Sequence, residues 1–282
     1  MRLVPSILSA GVLLAAILAV PVCLAAQASD IPSAAPPSAG SAGMTPEQAG
    51  RHLLEQMVTA LGGEAWLGRT TMQVEGRTAA FFQGAPDPGV TLYREYARFA
   101  ASGQPEAERF EFTKKHDVVQ VWTPTTGTEI TYKGNQPLPK DQVEDAVRRR
   151  NHSIEEVVQT WIKAPGVVIL SEGKSMVGRR VADKVTILTA NNDAVTLELD
   201  ADTHLPLRRS FEWRNTQFKD HDEDQEEYDD YHTIQGLPTP LTLTRYKNGD
   251  MVSQRYLTRV VYNEPLAPGL FDPAILLHGK KK

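Results

Sequence analysis

Apolar positions along the chain recur with two different periods, and the change of period marks the elements. Leu53, Leu54, Met57, Val58 and Leu61 repeat at helical spacing behind Thr45-Pro46-Glu47-Gln48, which offers an N-cap, a proline at the first helical position and the glutamine of a capping box; Gly62-Gly63 ends the run. This predicts an amphipathic helix over 45–61. From Thr70 the period becomes two, with Met72, Val74, Gly76, Thr78, Ala80 and Phe82 on one face and Gln73, Glu75 and Arg77 on the other, as in a half-buried strand. Strands over 90–99, 108–113, 118–123 and 129–133 follow as a meander, with turns assigned to Ala85-Pro86-Asp87-Pro88-Gly89 and Thr126-Gly127. Helical signals return over 140–163 in two pieces. Val143 and Val147 stand one turn apart, the polar stretch Arg148 to His152 interrupts, and Ser153-Ile154-Glu155-Glu156 opens a second helix bearing Val157, Val158, Trp161 and Ile162.

Six more strands are predicted over 181–189, 194–199, 207–215, 226–234, 241–246 and 251–262. The last two flank Asn248-Gly249, the dipeptide of a two-residue type I′ hairpin. Counting outward pairs Tyr246 with Met251, Arg245 with Val252, Leu243 with Gln254 and Leu241 with Tyr256, so Leu241, Leu243 and Tyr256 fall on one apolar side. A single antiparallel sheet of this many strands curls, and helices on its concave side leave part of the hollow unfilled. The fold class expected is therefore α+β, a curved antiparallel sheet with helices on its concave side. Strand parity makes Leu197, Leu199, Phe211, Trp213, Leu241, Leu243 and Tyr256 the candidate lining of an apolar cavity for an acyl chain. The remaining strand aromatics, Phe82, Phe110, Phe112 and Trp122, are assigned to ordinary core.

Composition changes this picture mainly at the two ends of the chain. With 282 residues, 41% hydrophobic, 23% charged and a net charge of -5, the sequence is that of a globular protein without the basic excess of a nucleic-acid binder. Arg2 precedes an apolar run from Ile7 to Ala26 and the small-x-small triplet Ala26-Gln27-Ala28, so residues 1–28 are expected to be a cleaved export signal. An uncleaved anchor and lipidation at Cys23 remain open readings; with cleavage after Ala28, no transmembrane span and no cysteine is left. Residues 29–43, rich in Ser, Ala, Pro and Gly, read as a disordered linker, 44–274 as a single domain and 275–282 as a basic tail.

Catalytic signatures are missing: the sequence has no GxSxG, HExxH, Walker loop, GxGxxG or CxxC, and its seven histidines are scattered. No enzyme, cofactor or metal is implied. Asp220 to Asp230 holds eight acidic residues and no basic one, but as a calcium loop it has Gln225 in place of the turn glycine and Tyr231 in place of the closing glutamate. It reads as a solvated excursion between strands, its charges repelling one another. The basic groups Lys114-Lys115-His116 and Arg148-Arg149-Arg150 likewise read as solvated, with anionic lipid head groups as the alternative partner.

Leu197-Glu198-Leu199-Asp200, Thr203-His204-Leu205-Pro206-Leu207, Tyr231 with Gly236 and Pro240, and Leu266 with Phe271-Asp272-Pro273 resemble exported proteins of the LolA/LolB-like lipoprotein-carrier superfamily, the outer membrane lipoprotein-sorting proteins. The resemblance covers roughly 70–273. It implies an unclosed β-barrel wrapped around helices, a hydrophobic cavity that accepts acyl chains, and a place in the periplasm or at the outer membrane. The function expected is non-enzymatic binding or carriage of lipid or lipoprotein acyl chains. An envelope protein-interaction or sensor module on the same fold is the alternative.

Overall fold

The computed structural model describes residues 43–100, 103, 105–215 and 220–274. The expected export signal with Cys23, the linker up to residue 42 and the basic tail lie outside them. The first elements are α1 (Pro46–Leu61), the single-turn α2 (Glu64–Leu67), and strands β1 (Thr71–Phe82), β2 (Ala85–Phe99), β3 (Pro105–Phe112), β4 (Val118–Trp122), β5 (Gly127–Thr131) and β6 (Gly134–Pro137). Then come α3 (Lys140–Asn151), α4 (Ile154–Gln159) and a 3-10 turn at Trp161–Lys163. The chain continues with β7 (Val168–Val177), β8 (Arg180–Leu188), β9 (Ala194–Asp200), β10 (Pro206–Asn215), β11 (Asp220–Ile234), β12 (Leu237–Lys247) and β13 (Asp250–Tyr262).

Among the described residues, these thirteen strands make one sheet in the order β6-β5-β4-β3-β2-β1-β13-β12-β11-β10-β9-β8-β7. Every neighbouring pair is antiparallel. Two meanders are joined where the first strand lies beside the last, and β6 and β7 remain as free edges. These edges are consecutive in the chain but at opposite margins of the sheet, so the connection that carries α3 and α4 has to cross between them. The result is an unclosed, curved α+β barrel with its helices in the hollow, as expected. No helix among the described residues is long and apolar enough to cross a membrane.

One half of the hollow is filled. Thr45 caps α1 by accepting from the Gln48 amide at 3.2 Å while Gln48 accepts from the Thr45 amide at 2.9 Å, and Leu53, Leu54, Met57 and Leu61 are buried. Each such side chain contributes about 2 kcal/mol. The helix sits directly on β7 because Gly50 has no side chain there: a Cβ would stand 3.0 Å from the Ser171 backbone nitrogen and 3.1 Å from the Ile169 carbonyl oxygen. Val157 and Val158 of α4 join the same core with Ile187, Leu197 and Leu199. By contrast, α3 has no buried residue. Polar side chains moor it to the sheet: Asp145 takes Arg245 of β12 at 3.1 Å, Arg150 reaches Glu108 of β3 at 2.5 Å, and Arg148 lies over Trp213 of β10 at 4.4 Å.

The elements depart from the sequence expectation in four places. The first hairpin turns at Gln83-Gly84, both with positive φ, and Ala85 to Gly89 runs extended as the start of β2. Pro86 and Pro88 are tolerated because β3 pairs with β2 only from Tyr93 onward, so no ladder donor is required of them on that side. Second, β6 and β7 were not foreseen, because β6 is only four residues long and a register shift between Ser171 and Gly173 breaks the alternation of β7. Third, the Asn248-Gly249 turn forms, but an irregularity between Arg245 and Tyr246 offsets the register beyond it. Arg245 faces Ser253, Leu243 faces Arg255, and Tyr256 faces Thr242 rather than Leu241. The extra residue in β13 reverses which side the residues from Ser253 to Leu257 take, and Tyr256 is 39% exposed. Fourth, the acidic run is no excursion: it forms β11, paired on both sides with β10 and β12.

At the seam between the meanders β13 bulges again, with Thr258 as the extra residue opposite Glu75 and Gly76 of β1. A Cβ on Gly76 would lie 2.6 Å from the Tyr256 carbonyl oxygen and 2.8 Å from the Tyr93 ring. Gly76→Ala is therefore expected to cost about 1–3 kcal/mol in urea denaturation through overpacking against backbone that has no room to move.

Candidate functional site

Where α3 stands off the sheet a cleft remains. Its larger arm has a volume of about 460 Å³ and runs between α3 and the inward faces of β1–β4, β12 and β13. A smaller arm of about 210 Å³ extends toward α1, α2 and β11. Phe99, Phe110, Phe112, Trp122 and Met72 give the larger arm its apolar wall, with the Phe110 and Phe112 rings stacked at 6.1 Å. Trp122 packs against Gly127, where a Cβ would be 2.7 Å from the indole. The smaller arm is lined by Leu61, Trp66, Val74, Tyr228, Leu257 and Tyr262.

Both arms share a charged junction. Arg69, Glu95, Glu155, Glu226 and Arg255 line each of them. Strand parity brings the acids in: Asp224, Glu226 and Tyr228 take the inward side of β11, and Glu223, Gln225 and Glu227 the outward side. Asp224 is fully buried, with Arg209 at 3.1 Å and Arg245 at 2.7 Å. Arg209 also donates to the His152 carbonyl at 3.2 Å, which ties the end of α3 to the sheet. His152 completes the tie by stacking on Phe211 at 4.1 Å and bonding Asp193 at 2.8 Å.

Two carboxyls in the cleft, Glu95 buried and Glu226 partly buried, are driven in opposite directions. Glu95 is pushed up to about 7, by burial first, with Glu108 and Glu226 adding to the shift and Arg255 at 3.3 Å opposing it. Burial raises Glu226 as well, yet Arg209, Arg255 and the Tyr228 hydroxyl at 2.9 Å together hold it below the usual carboxylate range. Glu95 therefore rests close to half protonated near neutrality while Glu226 stays ionised.

Of the seven residues chosen from the sequence, only Leu243 lines the cleft, and it touches both arms. Leu197 and Leu199 have no exposed surface and belong to the core beneath the helices, because α1 and α4 fill that half of the hollow. Phe211 is buried under His152; Trp213 lies 5.6 Å from it beneath Arg148, and Leu241 packs at the margin of the core. Tyr256 points to the convex side for the reason of register given above. The residues missed are the aromatics of β3 and β4, assigned to core, and the charged junction. Arginine at inward parity in β10, β12 and β13 was the available signal. Arg149 and Arg150, assigned to a solvated cluster, both line the larger arm.

No protein-family model matches the sequence, and no curated protein is similar to it at a significant level. Solved structures do match in shape. A DUF1329 family protein from Desulfovibrio piger superposes with a TM-score of 0.56 at 12% identity, over 81% of this chain and 98% of that one. A domain from Vibrio parahaemolyticus described as outer membrane lipoprotein-sorting gives 0.54 at 9% identity, over 80% and 97%. The protein has a LolA-like fold. A LolA superfamily protein from Nitrosomonas europaea also matches, at a TM-score of 0.48 and 12% identity over 79% and 96%. Several of the residues that carry the resemblance in sequence hold this LolA-like frame together. Asp200 accepts from the Asp202 and Thr203 amides in the β9–β10 turn, Tyr231 donates to the Pro206 carbonyl at 2.8 Å, and Phe271 packs on Val119, Val121 and Ile130 behind β4 and β5.

Two outcomes are expected. Asp224→Asn should lose about 3 kcal/mol in denaturant unfolding, because Arg209 would be left buried beside a neutral amide; a solvated loop residue would cost almost nothing. Glu95 binds its proton more tightly folded, near 7, than at its ordinary 4.5, so its contribution to stability is full below about 4.5 and is lost as pH rises to about 7, roughly 3 kcal/mol in all. Glu95→Gln cannot titrate, and its stability relative to wild type should climb by that amount between about pH 5 and about pH 8.

Proposed function

We propose that the protein binds a single acyl chain of a lipid or lipoprotein in this cleft, within the periplasm, and carries it without chemical change. The observation that bears the most weight is the unfilled aromatic arm. The helices pack one half of the hollow to full burial, whereas α3 is held over the other half by ion pairs and leaves Phe110, Phe112, Trp122 and Met72 facing open volume. Its size falls in the range of about 300–1,000 Å³ typical of small-molecule sites. Burying about ten methylenes at about 0.8 kcal/mol each gives roughly 8 kcal/mol of gross transfer energy, enough for useful affinity after the costs of association. The likeness of fold to a domain described as outer membrane lipoprotein-sorting supports the same reading.

Fluorescent acyl-probe titration tests this. Wild type should take up one probe. Leu243→Glu, which sets a charge between the two arms, should weaken uptake at least about tenfold, the factor that corresponds to about 1.4 kcal/mol. Tyr256→Glu, on the convex side, should leave uptake unchanged; no uptake by wild type would sink the carrier reading.

A further inference from the structure

Resting on that reading of the cleft, we propose that the arginine cluster of its larger arm seats the anionic head group of the bound amphiphile, a carboxylate or a phosphate monoester, with Arg149 as its principal partner. Four guanidinium groups converge on the larger arm from four elements: Arg149 from α3, Arg209 from β10, Arg245 from β12 and Arg255 from β13. Their counter-charges are shared rather than matched one to one. Asp145 serves Arg149 and Arg245 and stands 3.7 Å from Arg148 as well. Asp224 serves Arg245 and Arg209, and Glu226 lies 3.8 Å from Arg209 and 3.8 Å from Arg255. Glu108 and Glu155, the other acids of the wall, already hold Arg150 at 2.5 Å and Arg69 at 3.1 Å. Glu95 remains for Arg255.

Acidic neighbours hold Arg209 and Arg255 firmly charged, and two observations mark the place left in the cluster for a further anion. Arg209 is 2% exposed, and its buried Nε meets no acceptor. At Arg149 the charged form is disfavoured by burial and by the neighbouring Arg245, which Asp145 and the more distant acids do not fully offset. An anion placed among these groups removes the repulsion, and guanidinium forks match the paired oxygens of a carboxylate or phosphate. From that position an acyl chain enters the aromatic arm beside Phe110 and Phe112 directly. The cluster thus gives the ligand polarity and direction, with charge under α3 in the larger arm and chain along the β3–β4 wall.

Calorimetric titration of the protein with dodecyl phosphate, dodecanol and inorganic phosphate, with the alkyl compounds below micelle-forming concentration, tests the assignment. Dodecyl phosphate should bind at least about tenfold more tightly than dodecanol, as charge-assisted hydrogen bonds require, and added salt should narrow the difference. In Arg149→Gln, shown folded by circular dichroism, the ratio of the two affinities should fall toward one; Arg149→Lys should keep part of it. Equal binding of dodecyl phosphate and dodecanol by wild type would overturn the head-group seat while leaving the acyl-chain reading intact. Failure of both to bind would overturn the two together. Inorganic phosphate binding as tightly as dodecyl phosphate would assign the site to a free anion and overturn the proposal. A ratio unchanged in folded Arg149→Gln would remove Arg149 from it.

Discussion

The chain Arg149–Asp145–Arg245–Asp224–Arg209, fully buried at its Asp224–Arg209 end, is the constraint on which the rest of the site depends. Asp224 lies at the middle of a wide sheet with no exposed surface, and its two arginines come from the strands on either side. Removing a carboxylate from water costs several kcal/mol, and the cost is offset only where the geometry supplies close, hydrogen-bonded partners. β11 can therefore occupy the interior of the sheet only in the register that sets Asp224 between Arg209 and Arg245. The same chain reaches α3 through Asp145, so one polar network fixes strand register and the position of the roof over the cleft.

This explains why the hollow is filled unevenly. α1 is held to β7 by apolar contact close enough to require Gly50, and such packing leaves no space. α3 presents arginines and aspartates to the sheet, and long side chains reaching across to partners keep its axis further away. The crossover from β6 to β7 brings α3 over the hollow in any case, since those strands lie at opposite margins. A helix delivered by topology and held by ion pairs leaves an apolar wall uncovered, and that wall is the aromatic arm.

Opposite behaviour of Glu95 and Glu226 follows from the same arrangement. Both lie in the junction, but Glu226 has two guanidiniums and a tyrosine hydroxyl, whereas Glu95 has one guanidinium and two acidic neighbours. The cleft consequently gains positive charge as pH falls through neutrality, which couples proton uptake at Glu95 to whatever charge the cleft accommodates.

Local signals settled much of this protein in advance. The capping box of α1, the second N-cap at Ser153, most strands, and the position of the Asn248-Gly249 turn are written in residues a few positions apart, where side chains compete for neighbouring backbone groups or follow a fixed period. The α+β class and the curled sheet follow from the number and order of those elements. The location of the cleft does not, because it depends on which half of the hollow the helices fill and on a single bulge near Arg245 that reverses the face of Tyr256. Nor could the acidic run be understood by itself. Eight acids without a base repel one another in isolation and suggest a solvated loop, yet in the fold they form a central strand, because Arg208, Arg209, Arg245 and Arg255, on three other strands, provide the opposite charge across the ladder. Sequence reports which charges a segment carries; only the tertiary structure brings their partners within reach, and at these separations the Coulomb energy decides whether the segment is buried or solvated.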